Sequence, residues 1–544
     1  MNKHDVIVIG SGIGGLTAAL TCARAKRDVL VLEAGKQFGG YLNPFGRRHF
    51  HFDPGVHYIG EAGPGGSFRR LLDNLGLDGV EFCELDPDGF DRYNFPDYEV
   101  RNCKGIDRFR DRIAADVPEE RDALHRFFKL VHDLDNLSGL RLSGSARSSS
   151  TDMWRAALGV PSLARWFRAT LKEMLDHYFE DPRIKAAIAG PVGDLGLPPS
   201  RLSAVMHLGL LAHYAGGAYF PAGGSGPLRD AFVTALRDEG ATLERNAKVE
   251  SILHSGGAVT GVQLSDGRVF HAKTVISNTQ ATDTYAMAGL ENLTPRFQKK
   301  VRTTEHSIGS IVICAGVDGA LDTSGVGSAN IWSYDNLDID VAFGDKAMND
   351  YRECGSFFLT VPTNKDPDGG LAPEGKQCVE LVTLCGTKPF AKWFGEKTMR
   401  RGEEYAQLKD EIAAFYLERA EKHLPGLREH IDFYEVGTPA TNLSYTLSPE
   451  GNIYGPAHTP QQLVPFRYGT KAPIDGLLLC GASVISAGVV SCAASGRSAG
   501  KIALQSRKPS FLKTAVRKRF PQVHGERRAK AQAPRSAKPS SRKI

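Results

Sequence analysis

The chain has no CxxC pair and no Cys–His spacing that would hold zinc or a redox dithiol, although nine cysteines are scattered along it (22, 83, 103, 314, 354, 378, 385, 480 and 492). An odd, unpatterned set excludes a disulfide framework and reads as reduced thiols in a cytoplasmic protein. His207 and His213 lie six apart, which does not place two ligands on one helical face, so no metal is expected. The N-terminal apolar segment is broken by glycines and no small-residue cleavage site follows it, so it does not read as a signal peptide. Residues 476–496 carry no charge and are long enough to span a bilayer. Gly, Ser and Ala dominate that stretch, so it reads instead as a buried strand, a glycine turn and a helix start. Charge of one sign is missing overall but not locally. Residues 506–544 hold thirteen Lys/Arg against Glu526, a net +12, which leaves −7 on residues 1–505 of a chain whose total is +5. The body is mildly acidic, and the basic, Pro- and Ala-rich tail has the composition of a disordered segment.

At 544 residues the chain exceeds one ordinary core, and two intertwined domains are expected. The most informative stretch is Val-Ile-Val-Ile-Gly-Ser-Gly-Ile-Gly-Gly at 6–15, followed eighteen residues after Gly15 by Glu33. A β-branched run enters a turn in which Gly10, Gly12 and Gly15 allow a tight bend, close backbone approach to a pyrophosphate, and helix–strand packing. The helix over about 14–25 then points its N-terminal amides at the phosphates, and Glu33, ending a second strand at 29–32, is placed to accept from both ribose hydroxyls. Gly39 and Gly40 offer a second close backbone approach.

Further along, aromatics alternate through Phe50-His-Phe-Asp-Pro-Gly-Val-His-Tyr-Ile-Gly60. Helical patterns follow near 68–75, 106–115 and 119–137, and 143–150 is a Ser-rich loop. Between 154 and 179, Trp154, Leu158, Leu163, Trp166, Phe167 and Leu171 interleave with Arg155, Arg165, Arg168 and Lys172. That pattern suits either a helix lying in a membrane interface or a core helix with snorkelling cations. A turn-rich segment at 220–228 enters a helix to about 238. A strand pattern covers 242–253, a hairpin turns at 255–257, and 274–278 is a buried strand. Residues 310–315, 355–361 and 379–384 read as strands, 405–423 as a helix, and 488–506 as a small-residue helix after the apolar run at 476–481.

Four of these stretches together resemble the carotenoid and retinoid FAD oxidoreductases, which include phytoene desaturases, carotenoid isomerases and, most similar, the retinol saturases. They are the glycine-rich start with its VLVLEAG strand, the FDPGVHYIGE stretch at 52–61, the segment from His207 to Ser225, and GLLLCGASVISAGVVS at 476–491. The resemblance implies an α/β fold, with a Rossmann-type FAD-binding domain built from separated segments and an inserted mixed α+β substrate domain. The FAD-binding parts would be 1–70, 216–290 and 471–505. The substrate domain would be 71–215, with the possible membrane-facing helix, and 291–470, and 506–544 the tail. Two departures stand out: Tyr41 follows the Gly39-Gly40 pair, and Ala482-Ser483 follows Gly481, so the ribityl contact there is either backbone-only or made by the Ser483 hydroxyl.

The same resemblance implies FAD as cofactor and hydride transfer at its N5 to or from an apolar polyene or isoprenoid, with neither triad nor metal. Gly10, Gly12, Ile13, Gly14 and Gly15 would cradle the pyrophosphate, Glu33 the ribose, and Gly39, Gly40 and Tyr41 the second phosphate turn. Val249 would hold the adenine edge through its backbone, and Gly481, Val489 and Val490 would close over the ribityl chain and isoalloxazine. Saturating a C=C bond takes a hydride and a proton, and His57 and Tyr58 are the candidate proton donors, with Glu61 a weaker one. Alternatives are an amine-oxidase-like flavoenzyme and a non-enzymatic isoprenoid escort, the latter disfavoured by the intact glycines. Beyond the substrate, the basic tail suggests an anionic membrane surface as partner rather than nucleic acid, and hence a cytoplasmic protein able to dock peripherally. No electron partner is implied.

Overall fold

The computed structural model describes residues 2–143, 160–398, 400–463 and 466–505, with only the backbone for 137–143. The Rossmann-type layer is a five-stranded parallel sheet ordered Thr242–Glu244, Val29–Leu32, Val6–Ile9, Val275–Ser277 and Leu477–Leu479. Val6–Ile9, Val29–Leu32 and Leu477–Leu479 are buried on both faces, which is why they read as unbroken apolar runs. Their neighbours in the sheet come from around residues 242, 275 and 477, so three separated stretches complete one layer. The helix Ile13–Arg24 packs on this sheet beside Ser225–Asp238 and Val489–Gln505.

The second layer is a seven-stranded sheet ordered Ile431–Gly437, Gly309–Asp318, Lys376–Cys385, Phe357–Thr360, Asn330–Ser333, Asp91–Phe95 and Tyr98–Asn102. It draws from both substrate-domain segments expected from the sequence. Helices from 106 to 213 cover one side of it around a large aromatic core that includes Tyr93, Phe109, Phe127, Phe128 and Trp332.

Two expectations need correction. The pattern at 242–253 is two strands: Thr242–Glu244 joins the parallel sheet, and Val249–Ser255 belongs to a three-stranded antiparallel sheet. Asn246 separates them with φ of 54°, a left-handed turn that apolar periodicity does not register. The described part of 154–179 forms no membrane-lying helix. It forms the short helices Pro161–Ala164 and Leu171–Tyr178, and Leu163, Trp166, Phe167, Leu171, Met174, Leu175 and Phe179 are core residues. Arg165 covers the Trp166 ring at 4.4 Å, as a snorkelling cation does. Trp154, Arg155 and Leu158 lie outside the described residues, as do most of the Ser-rich loop at 143–150 and the tail. No helix among the described residues is long and apolar enough to cross a membrane.

Candidate active site

Gly10, with φ of +85°, turns the chain out of its strand, and Ile13–Arg24 begins two residues after Ser11 with no side chain capping it at Gly12. The first N–H groups of a helix have no intrahelical acceptor, so this end is an anion site. The glycines are required by contact. A Cβ on Gly15 would lie 2.1 Å from the Gly10 carbonyl oxygen, and one on Gly14 would lie 2.5 Å from Asn278 Oδ1 and 3.0 Å from the Gly481 nitrogen. A Cβ on Gly40 would lie 3.2 Å from Gly12 Cα, so the second glycine turn, with Gly39 at φ +126° and Gly40 at +59°, packs directly on the first. Gly481, at φ +82°, sits against the Asn278 side chain and precedes the half-buried Val489 and Val490, where Val489–Gln505 begins. Two helix starts and two glycine turns thus meet at one place, which fits a dinucleotide that passes from phosphates to flavin.

Glu33 does more than was expected of it. Its Oε2 accepts from the Ser11 N–H at 2.9 Å and the Ser11 hydroxyl at 2.5 Å, and its Oε1 accepts from the Gly35 N–H at 2.7 Å. A carboxylate offers about four lone-pair directions, so one is left for ribose rather than the two expected. Ser11 Oγ also accepts from Gly39 N–H at 3.0 Å, tying both glycine turns to Glu33. Ala247 N–H donates to the Glu33 carbonyl at 2.8 Å, which brings the strand starting at Val249 beside this end of the site. Tyr41 donates to Asn442 Oδ1 at 3.0 Å and keeps 37% of its surface accessible. The Ser483 hydroxyl accepts from Ala281 N–H at 2.9 Å and is buried.

Gly55 is the bridge to the second half of the site. A Cβ there would lie 2.8 Å from the Tyr41 carbonyl, so the segment carrying His57 and Tyr58 runs against the glycine turn. His57 Nδ1–H donates to Glu380 Oε2 at 3.0 Å, and Glu380, fully buried, also accepts from Asp53 N–H at 3.0 Å. Asp53 accepts from both the N–H and the hydroxyl of Ser225, at the start of Ser225–Asp238. Burial first, and the Glu380 charge in addition, push Asp53 up to about 6 against those bonds. Lys365 is almost wholly buried, and its ammonium donates to the His57 carbonyl at 2.7 Å and Asn330 Oδ1 at 2.6 Å. Burial brings it down to about 7, although Glu380 and Asp91 oppose the shift.

Tyr58 is bracketed by carboxyls. Its hydroxyl lies 2.9 Å from Asp194 Oδ2 and 3.2 Å from Asp91 Oδ2, and Tyr214 donates to the same Asp194 oxygen at 3.2 Å. Aromatic rings pack around it: Tyr58 stacks on Tyr214 at 4.9 Å and on Phe358 at 6.2 Å, and Trp332 meets Phe358 edge-on at 4.9 Å. His57 and Tyr58 therefore sit among buried acids and aromatics, next to the glycine turn. Glu61 instead pairs with His213 Nδ1 at 3.1 Å. His207 is buried and donates to the Ile188 carbonyl at 2.7 Å, and no metal-binding group of residues occurs among the described ones.

Sequence reading missed Ser11, Asn278, Asp53, Asp91, Asp194, Lys365 and Glu380. One signal was available: Glu380 is a lone acid inside the apolar run Cys378-Val-Glu-Leu-Val382, where an unpaired charge is costly.

The comparisons with known proteins agree with this geometry. All-trans-retinol 13,14-reductase of Danio rerio is 26% identical over 505 residues, 89% of this chain and 83% of that protein. Chloroplastic prolycopene isomerase of Arabidopsis thaliana is 29% identical over 496 residues, 88% of this chain and 79% of that one. The resemblance to carotenoid and retinoid oxidoreductases is thereby borne out. Putrescine oxidase bound to putrescine shares the fold at 15% identity, with a TM-score of 0.63 over 92% of this chain and 99% of that structure. The model of the family described as flavin containing amine oxidoreductase matches residues 13–502, nearly the whole described body. This chain is an FAD-dependent oxidoreductase and belongs to the flavin containing amine oxidoreductase family.

Proposed function

We propose that the enzyme acts on a C=C bond of an apolar polyene, a retinoid or carotenoid, by saturation or by the related cis–trans isomerisation. The observation that carries this reading is the pairing of aromatic walls with buried proton-holding groups at His57 and Tyr58. Adding hydrogen across an alkene requires a proton donor in a dry site. The likeness to a retinol reductase and a prolycopene isomerase, over most of each chain, supports the same substrate class.

In this reading Gly10, Gly12, Ile13, Gly14 and Gly15 hold the pyrophosphate of FAD, Glu33 the ribose, and Gly39, Gly40 and Tyr41 the second phosphate turn. Val249 holds the adenine edge, and Gly481, Val489 and Val490 the ribityl and ring end. Bound FAD supplies the two-electron hydride chemistry. The chain orients the polyene beside the stacked rings of Tyr58, Tyr214 and Phe358, excludes water, and keeps a proton at His57, held by Glu380, and at Tyr58.

The family description favours one competing reading, oxidation of a primary amine. The test is to incubate the reduced and the oxidised holoenzyme with retinol, a carotenoid and a primary amine and weigh the products. Gain of two hydrogens on a polyene, or an isomer of unchanged mass, supports the proposal. Turnover of the amine alone overturns it.

We also propose that residues 506–544 dock the enzyme on anionic membrane, where such substrates dissolve. Each basic residue near the surface contributes about 1 kcal/mol, screened over a Debye length. Co-sedimentation should be stronger with anionic than with neutral liposomes, weaken at high salt, and be lost on removing 506–544. Equal pelleting with both lipids, unaffected by the truncation, counts against it.

A further inference from the structure

The three oxygens at Tyr58 make two short contacts with one phenol proton between them. Tyr58 Oη is 2.9 Å from Asp194 Oδ2 and 3.2 Å from Asp91 Oδ2. A tyrosine hydroxyl donates one hydrogen bond, and an ionised carboxylate donates none. If Tyr58 donates to Asp194, the contact with Asp91 is a hydrogen bond only when Asp91 carries a proton. If Tyr58 donates to Asp91, the proton must sit on Asp194. Two bare carboxylates would leave one buried oxygen pair in repulsion, and among the described residues neither acid is in an ion pair.

The remaining partners do not supply that proton. Asp91 Oδ1 accepts from Asn330 Nδ2 at 2.9 Å, and Asp194 Oδ2 accepts from Tyr214 at 3.2 Å. Asn330 Oδ1 is itself occupied by Thr360 Oγ1 and Lys365 Nζ, which fixes the amide with its NH2 toward Asp91. The charged and titratable groups that face the pair are Tyr93 on the Asp91 strand, Tyr214, Lys365, Tyr334, His57 and His213.

The two acids are not equivalent in access. Asp91 is fully buried, whereas Asp194 and Tyr58 keep part of their surface. A Cβ on Gly196, two residues after Asp194, would lie 2.8 Å from the Tyr454 ring, and the Tyr41 hydroxyl donates to the Asn452 carbonyl at 3.5 Å, so the Asp194 turn and the second glycine turn both meet the 452–454 segment.

We propose that Asp91, Tyr58 and Asp194 form a proton relay that stores one proton at Asp91 and presents it at Asp194, toward the substrate. The inference rests on the polyene reading above. In the relay the Asp91 O–H bond breaks as a new Tyr58 O–H forms, while the original phenol proton passes to Asp194. The negative charge moves from Asp194 to Asp91, and no electrons are transferred. At Asp194 the proton would be available to one alkene carbon, and bound reduced FAD would supply the hydride that the other carbon takes. Asp194 is the catalytic acid, Tyr58 the carrier and Asp91 the positioning residue that holds the proton. Direct donation by Tyr58, the sequence-based expectation, becomes transfer through it. Burial, with the Asp194 charge second, pushes Asp91 up to about 7, in keeping with a carboxyl that holds a proton well above the ordinary carboxylate range.

Asp91→Asn tests this cleanly, because an amide NH2 can replace the carboxyl O–H toward Tyr58 while its oxygen still accepts from Asn330. The fold keeps its bonds and only the transferable proton is lost. Infrared difference spectra of the holoenzymes at pH 7 should show a protonated-carboxyl C=O band in the wild type. That band should shift in heavy water and be missing in Asp91→Asn. With the polyene substrate, kcat should fall about 10²-fold or more at near-constant KM and FAD content, and the proton-dependent limb of the pH profile should disappear. Tyr58→Phe should lose activity similarly but keep a carboxyl band, now shifted. The relay is overturned if the wild type lacks the band, if Asp91→Asn retains it, or if the band is lost with kcat and pH profile unchanged. A wild-type enzyme that turns over no polyene sinks the substrate reading instead, while the infrared result still decides where the proton sits.

Discussion

Replacing Gly15 by alanine isolates the contact that places the phosphate turn. Its Cβ would lie 2.1 Å from the Gly10 carbonyl oxygen and 3.2 Å from both the Gly10 carbonyl carbon and Asn278 Cβ. All three belong to the strand ends beneath the helix, and an interior this dense has no slack, so Ile13–Arg24 must lift by roughly 1 Å. Overpacking of this kind costs about 1–3 kcal/mol, against which alanine returns about 1 kcal/mol of helix propensity. Gly209 provides the control. It lies within Ala204–His213, and a Cβ there meets only Leu134 Cδ2, at 3.8 Å, so Gly209→Ala gains the propensity without the clash. The two variants should therefore differ by about 1–3 kcal/mol in stability, a few degrees in thermal midpoint. Because the lifted amides are those the proposed FAD site turns toward the phosphates, FAD affinity should drop about tenfold for each ~1.4 kcal/mol of displaced interaction. The assay is the thermal midpoint together with the flavin-to-protein ratio after gel filtration. If Gly15→Ala matches Gly209→Ala in both, the helix does not rest on the Gly10 carbonyl and the account of the turn fails.

Gly12→Val places a branched side chain where Asn278 Nδ2 would be 2.8 Å from its Cβ, at the helix start proposed to hold the phosphates. It should purify without flavin, and full flavin absorbance would refute the site. Glu380→Gln keeps an acceptor for Asp53 N–H but removes the charge that holds His57, so turnover should fall about 10²-fold with FAD retained, and unchanged turnover would reduce the pair to packing. Asp53, Asp91 and Asp194 are all raised from 3.8, to about 6, 7 and 6. Between these limits the folded protein binds more protons than the unfolded chain, so their contribution is fully present below about pH 4 and is lost as pH rises toward 7. Asp91→Asn should flatten that decline, gaining ~2–4 kcal/mol relative to wild type near neutral pH. Chemical denaturation from pH 5 to 8 reads this directly, and parallel curves for the two proteins would refute it.

The glycine turn and its strand–helix–strand setting were legible because their signal is local. Gly10 to Gly15, Glu33 and the strand at 29–32 lie within one βαβ unit, and each residue type has one backbone reason to be there. Ser11 escaped notice because its role is relational: it links Glu33 to Gly39, and nothing in a Gly-x-Gly pattern asks for a hydroxyl. The aromatic and cationic pattern at 154–179 misled in the opposite way. A Trp/Leu/Arg mixture is compatible with both an interface and a core, and only the packing of Trp166 and Phe167 against the 121–143 helix region and its neighbours decides between them.

The acid–base half was illegible for a topological reason. Asp91, Asn330, Thr360 and Glu380 are register partners on four adjacent strands, so they form one lateral row across the seven-stranded sheet. Thr360 and Glu380 are polar interruptions among apolar neighbours, Asp91 shares its strand with Arg92 and Asn94, and in sequence the row spans 289 positions between Asp91 and Glu380. Sheet register, not sequence spacing, makes it continuous. An isolated buried carboxylate on any one of these strands would cost several kcal/mol. Here each polar atom spends its bonding on the next, from Asp91 to Asn330 and from Asn330 to Thr360 and Lys365, while Glu380 turns to Asp53 and His57. The row therefore has two outlets on the 53–60 segment, His57 at one end and Tyr58 at the other. Two adjacent residues read as equivalent proton donors are in fact wired to different acids, and variants at Glu380 and Asp91 should separate their roles where single changes at His57 and Tyr58 cannot.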